Sequence, residues 1–125
     1  MSTSGFKYIK NEIIAVDFDG TLCRSAWPEI GEPIQTVIDY ILEKQQLGAR
    51  IILWTNRTGK HLEDAIVWCI DHGLVFDAIN ENLPECIAEF GDDSRKIFAH
   101  SYIDDKATNA LVIDAVQKIY NLKET

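Results

Sequence analysis

Five polar side chains stand directly after short apolar runs of the sequence, where buried strands would end: Asp17, Asp19, Thr55, Asp104 and Asp105. Carboxylates that converge repel one another and have raised pKa values unless a cation lies among them. The natural occupant is Mg2+, which takes one or two carboxylates together with waters and substrate phosphate oxygens. An all-oxygen ligand set argues against zinc. The four aspartates therefore predict a magnesium site that handles phosphate.

The same residue types can carry out phosphoryl transfer. One aspartate can attack phosphorus as a nucleophile and form an aspartyl-phosphate, while a carboxylate two residues away protonates the leaving oxygen and then activates water. A threonine hydroxyl and a lysine ammonium would bind the negative charge that spreads over the transferring phosphoryl group. Gly20 indicates that the chain turns after Asp19, so the spacing alone leaves the aim of the Asp19 side chain open.

Strand and helix patterns alternate along the chain and would position these residues. The run at 13–16 is apolar throughout, which is typical of a central strand buried on both faces. Apolar residues at helical spacing predict a helix over 34–42, with Pro33 in its first turn and Gly48 at its stop. The remaining predicted elements are a buried strand at 51–54, a helix over 62–70 closed by Gly73, a brief strand at 75–79, a short helix at 84–90, a fourth strand at 102–103 and a final helix over 112–119.

This alternation predicts an α/β fold, with right-handed crossovers and a mostly parallel sheet that helices cover on both faces. Ligands of such sheets bind beyond the carboxyl ends of the strands, which is where the five polar residues fall. The 125 residues, 46% of them apolar, suit one compact domain spanning 1–125.

Charge and cysteine usage limit the partners. The net charge of −8 has the wrong sign for a protein that grips nucleic acid along its phosphates. The three cysteines form no CxxC pair and are odd in number, which predicts neither a disulfide framework nor a zinc cluster and favours a cytoplasmic location. We expect no membrane partner, because no apolar run is long enough to span a bilayer and no signal peptide is recognisable.

Four segments, in order along the chain, resemble the four motifs of the haloacid dehalogenase superfamily of phosphohydrolases: Asp-Phe-Asp-Gly-Thr at 17–21, Leu-Trp-Thr-Asn-Arg at 53–57, Lys96, and Tyr-Ile-Asp-Asp at 102–105. The first motif alone is a weak signal, whereas the ordered set in its strand context is far more specific. The resemblance covers the chain from about residue 12 to the last helix. It implies a three-layer Rossmann-like fold and an enzyme that hydrolyses phosphoric monoesters.

The resemblance also implies a role for each residue of the motifs. Asp17 would be the nucleophile and Asp19 the general acid/base, while Thr55, Asn56 and Lys96 would bind the phosphate.

The implied cofactor is Mg2+. Its ligands would be Asp17, Asp104 and the main-chain carbonyl of Asp19, and Asp105 would support the metal directly or through water.

Lys96 poses a geometric problem for this assignment. A straight strand over 97–103 would place Lys96 roughly 23 Å from Asp104, at about 3.3 Å per residue. Residues 97–100 must therefore cross the sheet edge if Lys96 is to bind phosphate. Lys60 and Lys106 are the substitutes.

The chain between Thr21 and Pro33 has room for a small flap but not for the cap domain that many members of the superfamily insert there. The flap contains Trp27, which would overhang the site and could touch a substrate or simply lie exposed. We expect His61 to be the histidine nearest the site. Asn80 and Asn82 either face the site or form a turn.

The predicted function is hydrolysis of a small phosphorylated metabolite or nucleotide. One alternative is a phosphatase of nucleic-acid ends, which an uncapped site would suit and the negative charge opposes. The other is a non-catalytic phospho-accepting or binding module, because receiver domains also gather Asp, Thr and Lys at a sheet edge. Receivers normally open with their acidic pair, whereas Asp104 and Asp105 come last here, and Asp19 supplies an acid/base that speeds hydrolysis. The oligomeric state is unknown from the sequence.

Overall fold

The computed structural model describes residues 11–91, 97–105, 117–119 and 121–122. Lys96, Lys106 and most of the helix predicted over 112–119 lie outside the described residues. The elements are, in order, β1 Ile13–Val16, β2 Cys23–Ala26, β3 Glu29–Pro33, α1 Gln35–Gln46, β4 Arg50–Leu53, α2 Gly59–Asp71, β5 Ala78–Ile79, α3 Pro84–Phe90 and β6 Ser101–Ile103. No helix among these residues is both long and apolar enough to cross a membrane.

Four of the strands form one sheet in the order β5-β4-β1-β6, and every pairing between them is parallel. The central position predicted for the first strand is confirmed, since β1 pairs with β4 on one side and with β6 on the other. Strands β2 and β3 form a separate antiparallel hairpin between β1 and α1. This hairpin is the predicted small flap.

Helices cover both faces of the sheet, as the continuous apolar runs predict. Alternate side chains of β1 point to opposite faces. Ile14 and Val16 pack with α1 and α2, whereas Ile13 and Ala15 pack with residues of the α3 segment. The structure is therefore a three-layer, Rossmann-like α/β fold, as predicted.

Two predicted boundaries are wrong. Pro33 ends β3 instead of beginning the first helix, because the Ile34 N–H donates to the Leu22 carbonyl at 2.9 Å and keeps the chain extended to that point. The third strand is confined to residues 78–79, because the Asp77 side chain, not the backbone, accepts the Ile51 N–H at 2.7 Å.

Candidate active site

The carboxyl ends of β1, β4 and β6 lie side by side. The Asp17 N–H donates to the Ile103 carbonyl at 3.0 Å, and the Trp54 N–H donates to the Val16 carbonyl at 2.8 Å. The chain segments that leave these three strands therefore start at the same level of the sheet. This register brings together Asp17, Thr55 and the acidic pair that follows β6, as the sequence predicts.

Three of the predicted acidic residues form a cluster. One carboxylate oxygen from each of Asp17, Asp104 and Asp105 lies within 4.8 Å of the others. The pKa of Asp17 is raised to about 6, chiefly by burial and then by the charges of Asp104, Asp105 and Asp19, against the hydrogen bond that the Phe18 N–H donates to Asp17. A divalent cation would relieve both the repulsion and the lost hydration. Three carboxylates with only oxygen donors fit Mg2+.

Gly20 allows Asp105 to reach this cluster. The Gly20 φ angle is +80°, and a Cβ on this residue would lie 2.4 Å from Asp105 Oδ2. The Asp105 N–H also donates to Thr21 Oγ1 at 3.2 Å. Glycine at position 20 therefore allows the turn after Asp19 and leaves the space that the Asp105 carboxylate occupies.

The side chain of Asp19 is held by an arginine that we did not assign from the sequence. Arg57 Nε donates to Asp19 Oδ2 at 2.8 Å, and Arg57 Nη2 donates to Asp19 Oδ1 at 2.7 Å. This hydrogen-bonded pairing raises the pKa of Arg57 above its ordinary value. Only 2% of Arg57 is exposed, so the predicted acid/base is fixed by a buried two-point ion pair.

Arg57 also connects three parts of the chain. Its guanidinium donates to the carbonyls of Glu29 at 3.0 Å, Pro28 at 3.3 Å and His61 at 3.5 Å. The guanidinium carbon lies 5.1 Å from the ring centre of Phe18 and 4.9 Å from that of Trp27. One side chain therefore joins the turn after β1, the hairpin tip and the start of α2. The only sequence signal for it was an arginine two residues after Thr55.

Thr55 and Asn56 lie where the sequence predicts phosphate binders. The Thr55 hydroxyl oxygen accepts the Arg57 N–H at 3.1 Å, and the Thr55 N–H donates to Asn80 Oδ1 at 2.7 Å. Asn80, which has a φ angle of 56°, therefore faces the site. Asn82 does not, because it is buried and accepts the Phe98 N–H at 2.7 Å.

Two cavities meet at Asp17, Thr55 and Asn56. The metal-side cavity has a volume of about 290 Å3 and is completed by Trp54, Asn80 and Asp104. The hairpin-side cavity has a volume of about 280 Å3 and is completed by Asp19, Ser25, Trp27 and Arg57.

The predicted lysines do not contribute to the described part of the site. Lys96 and Lys106 lie outside the described residues. Lys60 pairs with Asp64 at 2.8 Å in an exposed i,i+4 ion pair on α2, and it lines neither cavity. His61 is close to the site as expected, since its ring centre lies 4.8 Å from that of Trp27.

The chain is similar to a solved structure, that of a conserved protein coded by a locus of Bacteroides thetaiotaomicron. The two sequences are 37% identical, the match covers 89% of this chain and 93% of that chain, and the TM-score is 0.69. No protein-family model matches the chain. A search of functionally curated proteins also finds no match.

Proposed function

Because the chain belongs to one family with the Bacteroides thetaiotaomicron protein, which is described only as a conserved protein, we propose its function from the chemistry of its own site. We propose a Mg2+-dependent phosphomonoesterase of the haloacid dehalogenase type, which acts through an aspartyl-phosphate on a small phosphorylated metabolite or nucleotide. The observation that carries the proposal is the carboxylate cluster of Asp17, Asp104 and Asp105 at the strand ends, with Asp19 in the adjoining cavity.

Asp17, Asp104 and Asp105 would hold the cation. When bound, Mg2+ neutralises the carboxylates and stabilises the negative charge on the phosphoryl group. The hydrogen bond from the Phe18 N–H to Asp17 Oδ1, at 2.7 Å, orients the nucleophile. Of its two oxygens, Oδ2 is the one left without this bond and is suited to attack phosphorus.

In the first step, Asp17 attacks phosphorus and forms a P–O bond, while the bond from phosphorus to the ester oxygen breaks. Asp19 enters this step protonated on a lone pair that Arg57 does not occupy, and it gives that proton to the departing oxygen. In the second step, Asp19 takes a proton from water, the water oxygen attacks phosphorus, and the bond to Asp17 breaks. The Thr55 hydroxyl and the Asn56 amide supply neutral donors to the phosphoryl oxygens.

Arg57 orients Asp19 for both proton transfers. Each carboxylate oxygen keeps a second lone pair when it accepts one hydrogen bond from the guanidinium. The Asp19 side chain is 24% exposed and lines the hairpin-side cavity. Asp19 can therefore reach a leaving group while it stays paired with Arg57.

We also propose a cytoplasmic location, because Cys23, Cys69 and Cys86 form no disulfide. All three are buried free thiols. Unpaired thiols persist most readily in a reducing compartment.

Steady-state hydrolysis of 4-nitrophenyl phosphate, with and without Mg2+, tests the proposal. We expect Mg2+-dependent turnover by the wild type and its loss in Asp17→Asn. Asp71→Asn, at the exposed end of α2, is the matched control and keeps wild-type activity. Turnover that survives Asp17→Asn, or a long-lived acyl-phosphate in place of turnover, contradicts the proposal. A panel of phosphorylated metabolites beside a 3′-phosphorylated oligonucleotide separates the two substrate classes.

A further inference from the structure

The two cavities divide the site between the acidic cluster and the general acid. Asp104 lines only the metal-side cavity, and Asp19 lines only the hairpin-side cavity. A general acid must lie within hydrogen-bond reach of the oxygen that it protonates. Under the proposed function, the leaving group of the substrate would therefore occupy the hairpin-side cavity, whose lining would determine which phosphomonoesters the protein accepts.

Trp27 is the large apolar side chain of that cavity. It lies at the hairpin tip, and 60% of it is exposed. The ring is nevertheless held in place, because Arg57 lies 4.9 Å from its centre and the tilted ring of His61 lies 4.8 Å away. An indole that is both fixed and exposed at the rim of a cavity offers a surface for stacking with little loss of side-chain entropy.

The chain of contacts from Trp27 to Asp19 is short. A single guanidinium, that of Arg57, contacts the indole and donates to both oxygens of Asp19. Trp27 and Asp19 also line the same cavity, so a group that contacts the indole from within this cavity shares it with the acid that would protonate the leaving oxygen. The cavity volume of about 280 Å3 lies just below the usual range of ligand pockets, which leaves room for one compact leaving group.

We propose that Trp27 is a specificity-determining residue that selects phosphomonoesters whose leaving group carries a planar ring. The ring stacks on the exposed surface of the indole while the phosphoryl group lies at Asp17. This proposal rests on the proposed function, since it assumes that Asp19 marks the leaving-group side. Nucleoside monophosphates and arylalkyl phosphates share the required chemistry.

The test compares substrates with similar ester oxygens, so that leaving-group reactivity does not enter. One pair is a nucleoside 5′-monophosphate against ribose 5-phosphate, and the other is benzyl phosphate against butyl phosphate. We expect the wild type to have the lower KM for the ring-bearing member of at least one pair, and the pair concerned identifies the source of the ring. In Trp27→Ala that KM rises about 5- to 150-fold, as for aromatic platforms that stack bases. Trp27→Phe keeps the preference.

Equilibrium binding to Asp17→Asn in the presence of Mg2+ separates this proposal from the proposed function. The same ligands are titrated by calorimetry, and proton shifts of the ligand ring are followed by NMR, since stacking on an indole moves them upfield. Ring-selective binding that Trp27→Ala abolishes supports the platform even if the wild type hydrolyses nothing. Tyr40→Ala, which removes an exposed aromatic from α1, is the control and leaves binding unchanged.

Three outcomes overturn the proposal. These are equal affinity for both members of each pair, a ring preference that survives in Trp27→Ala, and ring binding without upfield shifts. If Trp27→Ala does not fold, Trp27→Leu replaces it, because leucine keeps an apolar cover over Arg57 without a ring. Whichever variant folds, equal affinity for both members of each ligand pair on the protein that retains Trp27 is enough to overturn the proposal.

Discussion

Replacement of Arg57 tests whether the acid/base depends on its buried partner. Arg57→Met keeps an unbranched apolar side chain between the rings of Phe18 and Trp27 but removes all donors to Asp19. Arg57→Lys keeps the charge, but one ammonium cannot reproduce the two parallel bonds of 2.7 and 2.8 Å. The two variants therefore separate the loss of the ion pair from the loss of its geometry.

The magnitudes follow from burial and from the number of bonds. Removing one partner of a buried ion pair costs about 3–5 kcal/mol. Because Asp19 is 24% exposed and can regain some hydration, we expect Arg57→Met to lower the free energy of unfolding by about 3 kcal/mol. Arg57→Lys loses one of the two charge-assisted hydrogen bonds to Asp19, which costs about 1.5 kcal/mol. Any of the bonds to the Pro28, Glu29 and His61 carbonyls that an ammonium cannot make adds to this loss. General acid–base catalysis contributes about 10²–10⁴ in rate, so a misaligned Asp19 lowers kcat by about 10- to 100-fold.

The assay measures kcat for two substrates, since the need for a general acid depends on the leaving group. An alkyl phosphate needs protonation of its leaving oxygen, whereas 4-nitrophenyl phosphate needs it far less. We expect Arg57→Lys and Asp19→Asn to lose more activity on the alkyl phosphate than on the aryl phosphate. Urea unfolding of each variant measures the change in the free energy of unfolding separately from the change in kcat.

The control is Arg50→Met, at the opposite end of the sheet. Arg50 pairs with Asp77 at 3.0 Å and with Glu85, and its side chain is 30% exposed. We expect a loss of about 1 kcal/mol and an unchanged kcat. Wild-type kcat on the alkyl phosphate in Arg57→Lys, with activity lost in Asp19→Asn, would refute the positioning role of Arg57.

Three further predictions concern the acidic cluster and the phosphate binders. Burial, together with the neighbouring carboxylates, raises the pKa of Asp17 from 3.8 to about 6. This residue therefore stabilises the metal-free fold fully below about pH 4 and loses that contribution as the pH rises through 6. Thermal unfolding in EDTA at pH 7.5 should show Asp17→Asn to be more stable than the wild type, and saturating Mg2+ should raise the melting temperature of the wild type more than that of Asp17→Asn. Gly20→Ala should lower the free energy of unfolding by about 1–2 kcal/mol because of the positive φ at this position, and it should also weaken Mg2+ binding by displacing Asp105. Gly48→Ala is the control, because its φ is +94° but its Cβ would meet open space, so this variant should lose stability alone. Urea unfolding measures the loss of stability, and calorimetry measures Mg2+ binding. Thr55→Val should keep the fold and lower kcat/KM by about 10- to 100-fold, because a neutral donor to the phosphoryl group is lost. An unchanged kcat/KM would show that the Thr55 hydroxyl does not bind the phosphoryl group.

The sheet and its helices could be predicted because their apolar periodicity is strong. The run 13–16 has no polar residue, and this uniform burial placed β1 at the centre of the sheet. The two strands of the hairpin could not be predicted from the sequence, because most residues of β2 and β3 are exposed and their apolar residues do not alternate with polar ones. Pro33 was ambiguous for a related reason, since proline suits both the first turn of a helix and the end of an edge strand.

The acidic part of the site could be predicted for a geometric reason. Parallel strands bring their carboxyl ends to one edge, so Asp17 and Asp104 had to meet once their strands were recognised. The partner of Asp19 had no such constraint. Arg57 lies 38 positions away along the chain, and strand spacing does not indicate which way its side chain turns. Long-range side-chain pairing of this kind is visible only in three dimensions.

The charge of the site now implies an order of binding. Arg57, which lines the hairpin-side cavity, is committed to Asp19 by two hydrogen bonds. Among the described residues, the charged side chains that would meet an incoming phosphomonoester at the strand ends are therefore the carboxylates of Asp17, Asp104 and Asp105. A phosphate dianion is repelled by such a cluster until a cation has entered it. Under the proposed function, Mg2+ must then bind before or together with the substrate. The stacking proposed for Trp27 does not depend on charge, so a ring-bearing leaving group would hold the substrate at the site while the phosphoryl group and the cation enter the cluster together.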